Sequence, residues 1–192
     1  MRLARKDPDW IFLSSQGSTL AVMLKDIKKL ELKEQGIKFC TFMGSFDDML
    51  PIVGKEVMEG MYHTAPAPYW TDADIDPELE RVVETAMEKY GWEREEVYTV
   101  YLAGYEMGLG LFEAIRLAIA NVGDPAKVTG KVLRDAFVTV KELALPALPP
   151  SYIDENHPWV IRYMRIGVMQ EGKPMGATEW FEPLSFPTWK KS

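Results

Sequence analysis

An apolar strand, a crest of small polar residues and an amphipathic helix follow one another twice in the first 60 residues, and that order leaves few folds open. Trp10–Leu13 is the first apolar run, set up by the turn residues of DPD. Ser14, Ser15, Gln16, Gly17, Ser18 and Thr19 form its crest. Behind them Leu20, Met23, Leu24, Ile27 and Leu30 recur at three- and four-residue spacing, which defines one buried helix face. Gly36 is the expected end of that helix. Residues 37–42, IKFCTF, make a second buried strand, with Gly44, Ser45, Phe46, Asp47 and Asp48 as its crest. A short helix through Met49, Ile52 and Val53 leads to a third strand over 58–64. Strands joined through helices run parallel with right-handed crossovers, so the expected fold is α/β, a parallel sheet with flanking helices.

The character of the chain changes at Pro66 and Pro68. In TDADIDPELE, Asp76 is placed to cap a helix that Pro77 begins and that Tyr90 and Gly91 close. A long helix over roughly 97–122 carries Val100, Ala103, Tyr105, Leu109, Phe112, Ile115 and Ala118. Its Gly104, Gly108 and Gly110 each disfavour helix by about 1 kcal/mol relative to alanine, which predicts a neighbour packed closely against that turn. A third helix spans about 129–138. The Pro-rich LALPALPPSYIDENHP then leads to a strand over 159–170, which Glu171, Gly172 and Lys173 turn back toward 175–181 as a hairpin arm. A βα section, a helical section and returning strands suit a lobed protein whose chain crosses between lobes more than once.

Charge and composition exclude several function classes. With 22 basic and 29 acidic residues the net charge is -7, a field that repels phosphate backbones and argues against nucleic acid as a partner. The basic cluster Lys25, Lys28, Lys29 and Lys33 is interrupted by Asp26, Glu31 and Glu34, as a solvated helix face would be. No apolar run reaches the roughly 18 residues that a membrane span needs. The first residues, MRLARKDPDWIFLSS, lack the apolar core and small-residue cleavage site of a secretion signal. The lone Cys40 allows no intrachain disulfide, and its place in IKFCTF predicts a buried thiol.

Enzyme signatures are missing one by one. The glycines of GYEMGLG have the wrong spacing for a dinucleotide turn, and there is neither a Walker lysine nor a serine elbow. His63 and His157 form no metal-binding pair, and Asp47 and Asp48 fit no calcium loop, so neither a metal nor a cofactor is expected. In open parallel sheets, ligands meet the loops beyond the carboxyl ends of the strands. Those loops here are the two crests, whose hydroxyls and amide can hydrogen-bond a small polar ligand. Asp47 can meet an ammonium group, and Phe46 can cover an apolar part. Ser18 and Asp47 can equally serve as caps of the helices that follow them. Tyr62, Tyr69 and Trp70 are weaker cleft-wall candidates, and Tyr101 and Tyr105 can reach a cleft from the helical section.

The order PDWIFLSSQGS, GIKFCTFMGSFDD, EGMYHTAPAP, PELERVVETAMEKYG, YLAGYEMGLGLFEAIRLAIANVG and HPWVIRYMRIGVMQEGK resembles the carboxyl-terminal half of a periplasmic solute-binding protein of the leucine/isoleucine/valine type, the type I periplasmic binding proteins of ABC importers. The resemblance runs from about residue 5 to residue 180. It implies a non-catalytic, extracytoplasmic binding protein in which two α/β lobes close on an amino acid or related small amide or acid. It further implies a membrane permease as partner and a missing N-terminal lobe segment. By the same resemblance, residues 5–70 are the later part of lobe 2, 71–150 are mainly lobe 1 helices, 151–181 are strands returning toward lobe 2, and 182–192 are a tail. The ligand contacts it implies are Ser15, Gln16, Phe46 and Asp47, joined by Tyr105 from the long helix. Asp47 corresponds to the acidic group that commonly meets the ligand ammonium. Three departures stand out. The βαβ repeats of lobe 1 are absent, LPALPPSYIDENHP replaces a glycine-containing turn, and the first crest lacks a tyrosine. Two alternatives stay open: a ligand-sensing or regulatory domain of the same fold, and a small α/β enzyme using carboxylate chemistry.

Overall fold

The computed structural model describes residues 8–42, 46–155 and 162–183. Five strands lie in the order β1-β2-β3-β4-β5: β1 Trp10–Leu13, β2 Lys38–Thr41, β3 Tyr62–Ala65, β4 Arg165–Gln170 and β5 Lys173–Gly176. The first two pairings are parallel, as helical crossovers require. The sheet is parallel over β1–β3, as the βα units predict, and the returning hairpin makes it mixed as a whole. β4 enters antiparallel to β3 after the whole helical section, and β5 folds back on it through the turn at Glu171 and Gly172. A hairpin added to a parallel sheet must supply at least one antiparallel pair.

Helix α1, Gly17–Lys29, buries Leu20, Ala21, Leu24 and Ile27 against the sheet. It ends earlier than Gly36 suggests. Glu31 takes a left-handed conformation, its N–H bonds Lys28 O, and Leu32 N–H reaches back to Ile27 O. This is a Schellman closure, and the accompanying contact of Leu32 with Ile27 in the core leaves Leu30 exposed instead of buried. Two one-turn helices, α2 Leu50–Val53 and α3 Lys55–Met58, fill the second crossover. The third strand therefore starts only at Tyr62 rather than at residue 58. Together these elements enclose one core around Leu13, Leu24, Phe39, Phe46, Met58, Met61 and Met169.

The helical section has two smaller cores. One joins α4, Pro77–Tyr90, to the start of α5, Thr99–Val122, through Leu79, Val83, Val97 and Leu102. The other gathers Ala114, Val140, Leu145 and Ile153 beside α6, Gly130–Phe137. Asp76 caps α4 as expected, with Oδ1 accepting from the N–H groups of Glu78 and Leu79. Its Oδ2 also accepts from Ala147 N–H, which pins the Pro-rich connection to the helix start. Of the α5 glycines Gly110 is buried, whereas Gly104 and Gly108 do not meet the close neighbour expected. A Cβ built on Gly104 or Gly108 would enter open space among the described residues. With the exposed Val100, Met107 and Leu111 they form one uncovered apolar helix face.

Candidate functional site

The first crest opens to solvent. After β1 ends at Leu13, Ser14 and Gln16 are exposed and Ser15 is half-buried. Gln16 is the extended residue before α1, and Gly17 begins the helix at φ +57, a conformation that favours glycine. Ser18 is not the cap, because the helix begins one residue before it.

The second crest is internal. Phe46 is wholly buried and stacks on His63, with ring centroids 4.6 Å apart and planes 11° from parallel. Its N–H donates to Asp48 Oδ1 at 2.7 Å. Asp47 is only 2% exposed. It does not cap the helix that follows it. Its Oδ2 accepts from Thr99 N–H at 2.8 Å and from Thr99 Oγ1 at 2.9 Å, at the first turn of α5. Burial pushes the Asp47 carboxyl up from its ordinary 3.8 to about 6, the two Thr99 hydrogen bonds pull it down, and the neighbouring Asp48 charge pushes it up further. Gly44 and Ser45 lie outside the described residues, as does His157.

Behind the second crest is a polar-aromatic cluster. Tyr69 Oη lies 3.3 Å from His63 Nδ1, and His63 Nε2 has no hydrogen-bond partner among the described residues. Burial holds His63 neutral, lowering it from 6.5 to about 3. The Tyr69 ring lies so close over β4 that a Cβ on Gly167 would fall 1.7 Å from its hydroxyl, so only glycine fits there. Arg165 lies over the same ring at 4.7 Å and forms a two-pronged ion pair with Asp72, whose Oδ2 also accepts from Tyr69 N–H. Burial and the Asp47 and Asp72 charges raise the Tyr69 phenol, against the pull of Arg165.

The structure thus separates the predicted residues. Ser15 and Gln16 stand at an open crest, and Phe46 and Asp47 are enclosed beside α5. Tyr105 lines a groove of about 340 Å³ between α4 and α5, with Glu78, Arg81, Val82, Thr85 and Tyr101. Tyr69 and Trp70, expected at a cleft wall, are both core, Trp70 in the helical section. Sequence reasoning missed Thr99, Asp72 and Arg165. Arg165 shares the buried face of β4 with Gly167 and Met169, and a charge on a buried strand face signals a partner. Among the described residues no group of three His, Cys, Asp or Glu side chains is arranged to hold a metal, and no helix is long and apolar enough to cross a membrane.

The model of the family described as periplasmic binding protein matches residues 2–174. The chain belongs to that family. Among solved structures it resembles a branched-chain amino acid ABC transporter protein from Thermus thermophilus with bound valine, at TM-score 0.76 and 18% identity, over 95% of this chain and 48% of that one. It also resembles a leucine-binding protein from Thermotoga maritima, at 0.69 and 18%, over 95% and 47%. A fatty acid ABC transporter substrate-binding protein from Thermomonospora curvata matches at 0.66 and 19%, over 94% and 45%. At these identities the likeness is one of fold, and the chain spans about half the length of each neighbour. Among curated proteins no sequence matches. The family and these neighbours are non-catalytic binding proteins, and the fold is that of the type I periplasmic binding proteins.

Proposed function

We propose that this chain is the later half of a solute-binding clamp that takes an amino acid or a related small amide or acid and delivers it to an ABC permease outside the cytoplasm. The observation that carries this reading is the family match over residues 2–174, together with the likeness to a valine-bound transporter protein across 95% of the chain. Ser15 and Gln16 contribute hydrogen bonds at the open crest, Phe46 and Asp47 close the second crest, and Tyr105 approaches from α5. Closure is a population shift toward the state in which both halves touch the ligand, with no bond chemistry. Residues 5–70 and 151–181 form one lobe in this reading, and 71–150 belong mainly to the other. The first half of the clamp is a partner that covers apolar surface exposed here. That surface comprises Trp10 and Phe12 on the outer side of β1, and Val100, Met107 and Leu111 on α5.

A half clamp encloses less of its ligand than a whole one. Titration calorimetry of this chain with leucine, valine, glutamate, glutamine and a medium-chain fatty acid tests the proposal. The expected result is saturable binding of at least one amino acid, weaker than about 100 μM. Preference for the fatty acid, or no saturable binding of any amino acid at millimolar concentration, overturns the ligand class. Low-micromolar binding overturns the half-clamp reading.

A further inference from the structure

We propose that Thr99 is a positioning residue of the ligand site, holding one oxygen of the Asp47 carboxyl with its N–H and hydroxyl. The second crest and the start of α5 are thereby tied together through one carboxyl oxygen, which fixes the orientation of the carboxyl. This rests on the reading that Asp47 meets the ligand. The tie spans 52 positions of sequence and joins the βα section to the helical section. Both residues are buried, Asp47 at 2% and Thr99 at 4% exposure. Thr99 is the first residue of a 24-residue helix, where N–H groups have no helical acceptor and a negative charge is favoured.

Among the described residues, the titratable groups that act on Asp47 through space are Asp48 on its own turn, Tyr98 just ahead of α5 and Tyr69 after β3. None of the three is a cation. Burial therefore dominates, and the carboxyl sits where a modest change in surroundings alters its charge. An ammonium arriving beside the carboxyl favours the ionised form. Ionisation in turn strengthens both Thr99 hydrogen bonds, because charge-assisted bonds are about twice as strong as neutral ones. Ligand arrival, proton release and a firmer hold on α5 are then one linked event.

The test needs no ligand. Side-chain carboxyl carbons of the whole chain are followed by NMR against pH, with Asp47→Asn assigning the signal. In the wild type the Asp47 signal should titrate near pH 6, and the Thr99 amide should shift with the same midpoint. Thr99→Val removes the hydroxyl donor and should raise the midpoint by about one pH unit, a tenfold change in proton affinity, because a lost hydrogen bond to the carboxylate favours its neutral form. Thr99→Ser should restore it. A midpoint near the ordinary 3.8, or a Thr99→Val midpoint equal to wild type, overturns the proposal. If Thr99→Val fails to fold, the shared midpoint of Asp47 and the Thr99 amide decides in the wild type. A failed ligand titration leaves this result standing, and a failed pH titration leaves ligand binding at the first crest untouched.

Discussion

The two crests follow parallel strands, carry small polar residues and precede helices, yet one faces water and the other is part of the interior. Ser14 and Gln16 are exposed at the end of β1, an edge strand. Phe46 and Asp47 follow β2, which has neighbours on both sides, and the first turn of α5 closes over them. A crest's place in the sheet follows from its own strand; its burial depends on elements that pack above it from far along the chain. Polar residues at the covered crest must find partners inside, and Asp47 finds Thr99.

The largest effect expected from this contrast is on stability. Phe46→Ala removes a fully buried ring stacked on His63 and should cost about 3–5 kcal/mol, read as a fall in the urea midpoint with unchanged slope. A cost below about 1 kcal/mol, the size of a surface change, would erase the difference between the crests.

The next effect compares the second crest with the middle of α5, where Glu106 is buried and neither carboxyl oxygen has a partner among the described residues. Burial raises Glu106 from 4.5 to about 9, so the folded chain keeps its proton where the unfolded chain loses it. Its contribution to stability is complete below pH 4.5 and is lost as pH rises through about 9. Asp47 behaves alike over the lower window from 3.8 to about 6, while His63 opposes it, losing stability as pH falls from 6.5 toward 3. Glu106→Gln mimics the protonated form. It should be nearly neutral at pH 5 and stabilise the fold by roughly 2–3 kcal/mol at pH 9, since each tenfold change in proton affinity is about 1.4 kcal/mol and relaxation takes back part of it. Equal urea midpoints for the variant and wild type at both pH values would show that Glu106 is solvated.

Local pattern reveals much of this fold and little of the second crest. α1, α4 and α5 are readable because each buries one face through residues three and four positions apart, and β1 and β2 because they are short apolar runs between turn residues. The mixed sheet is not, because pairing of β3 with β4 joins Ala65 to Arg165 and no periodicity carries so distant a match. The closure of α1 at Glu31 is hidden because the left-handed position there is not a glycine. Asp47 stands out in the sequence as an acidic group on a strand crest, but its partner lies 52 residues away on a helix with no side-chain cap to mark its start. The exposed face of α5 looks like a core stripe, since apolar spacing marks a face without saying what covers it.

A smaller loss tests the covered crest against its partner. Asp47→Ala leaves the Thr99 N–H and hydroxyl without their acceptor and should cost about 1–3 kcal/mol, while Asp47→Asn, which keeps an oxygen there, should cost less. Thermal melts of the two variants at pH 7 check the order. Equal destabilisation would mean that the carboxylate charge, and not the acceptor, holds α5.

The smallest change in stability belongs to the open crest. Ser15→Ala with Gln16→Ala touches one half-buried and one exposed residue, and neither side chain caps α1. The pair should stay within about 0.5 kcal/mol of wild type, as surface substitutions do. Its consequence should fall on binding. If the first crest supplies ligand hydrogen bonds, removing them weakens the best amino acid from the calorimetric series by roughly tenfold, about 1.4 kcal/mol, at unchanged melting temperature. Changed stability with unchanged binding would reverse the contrast, making the open crest structural and leaving the covered one as the site.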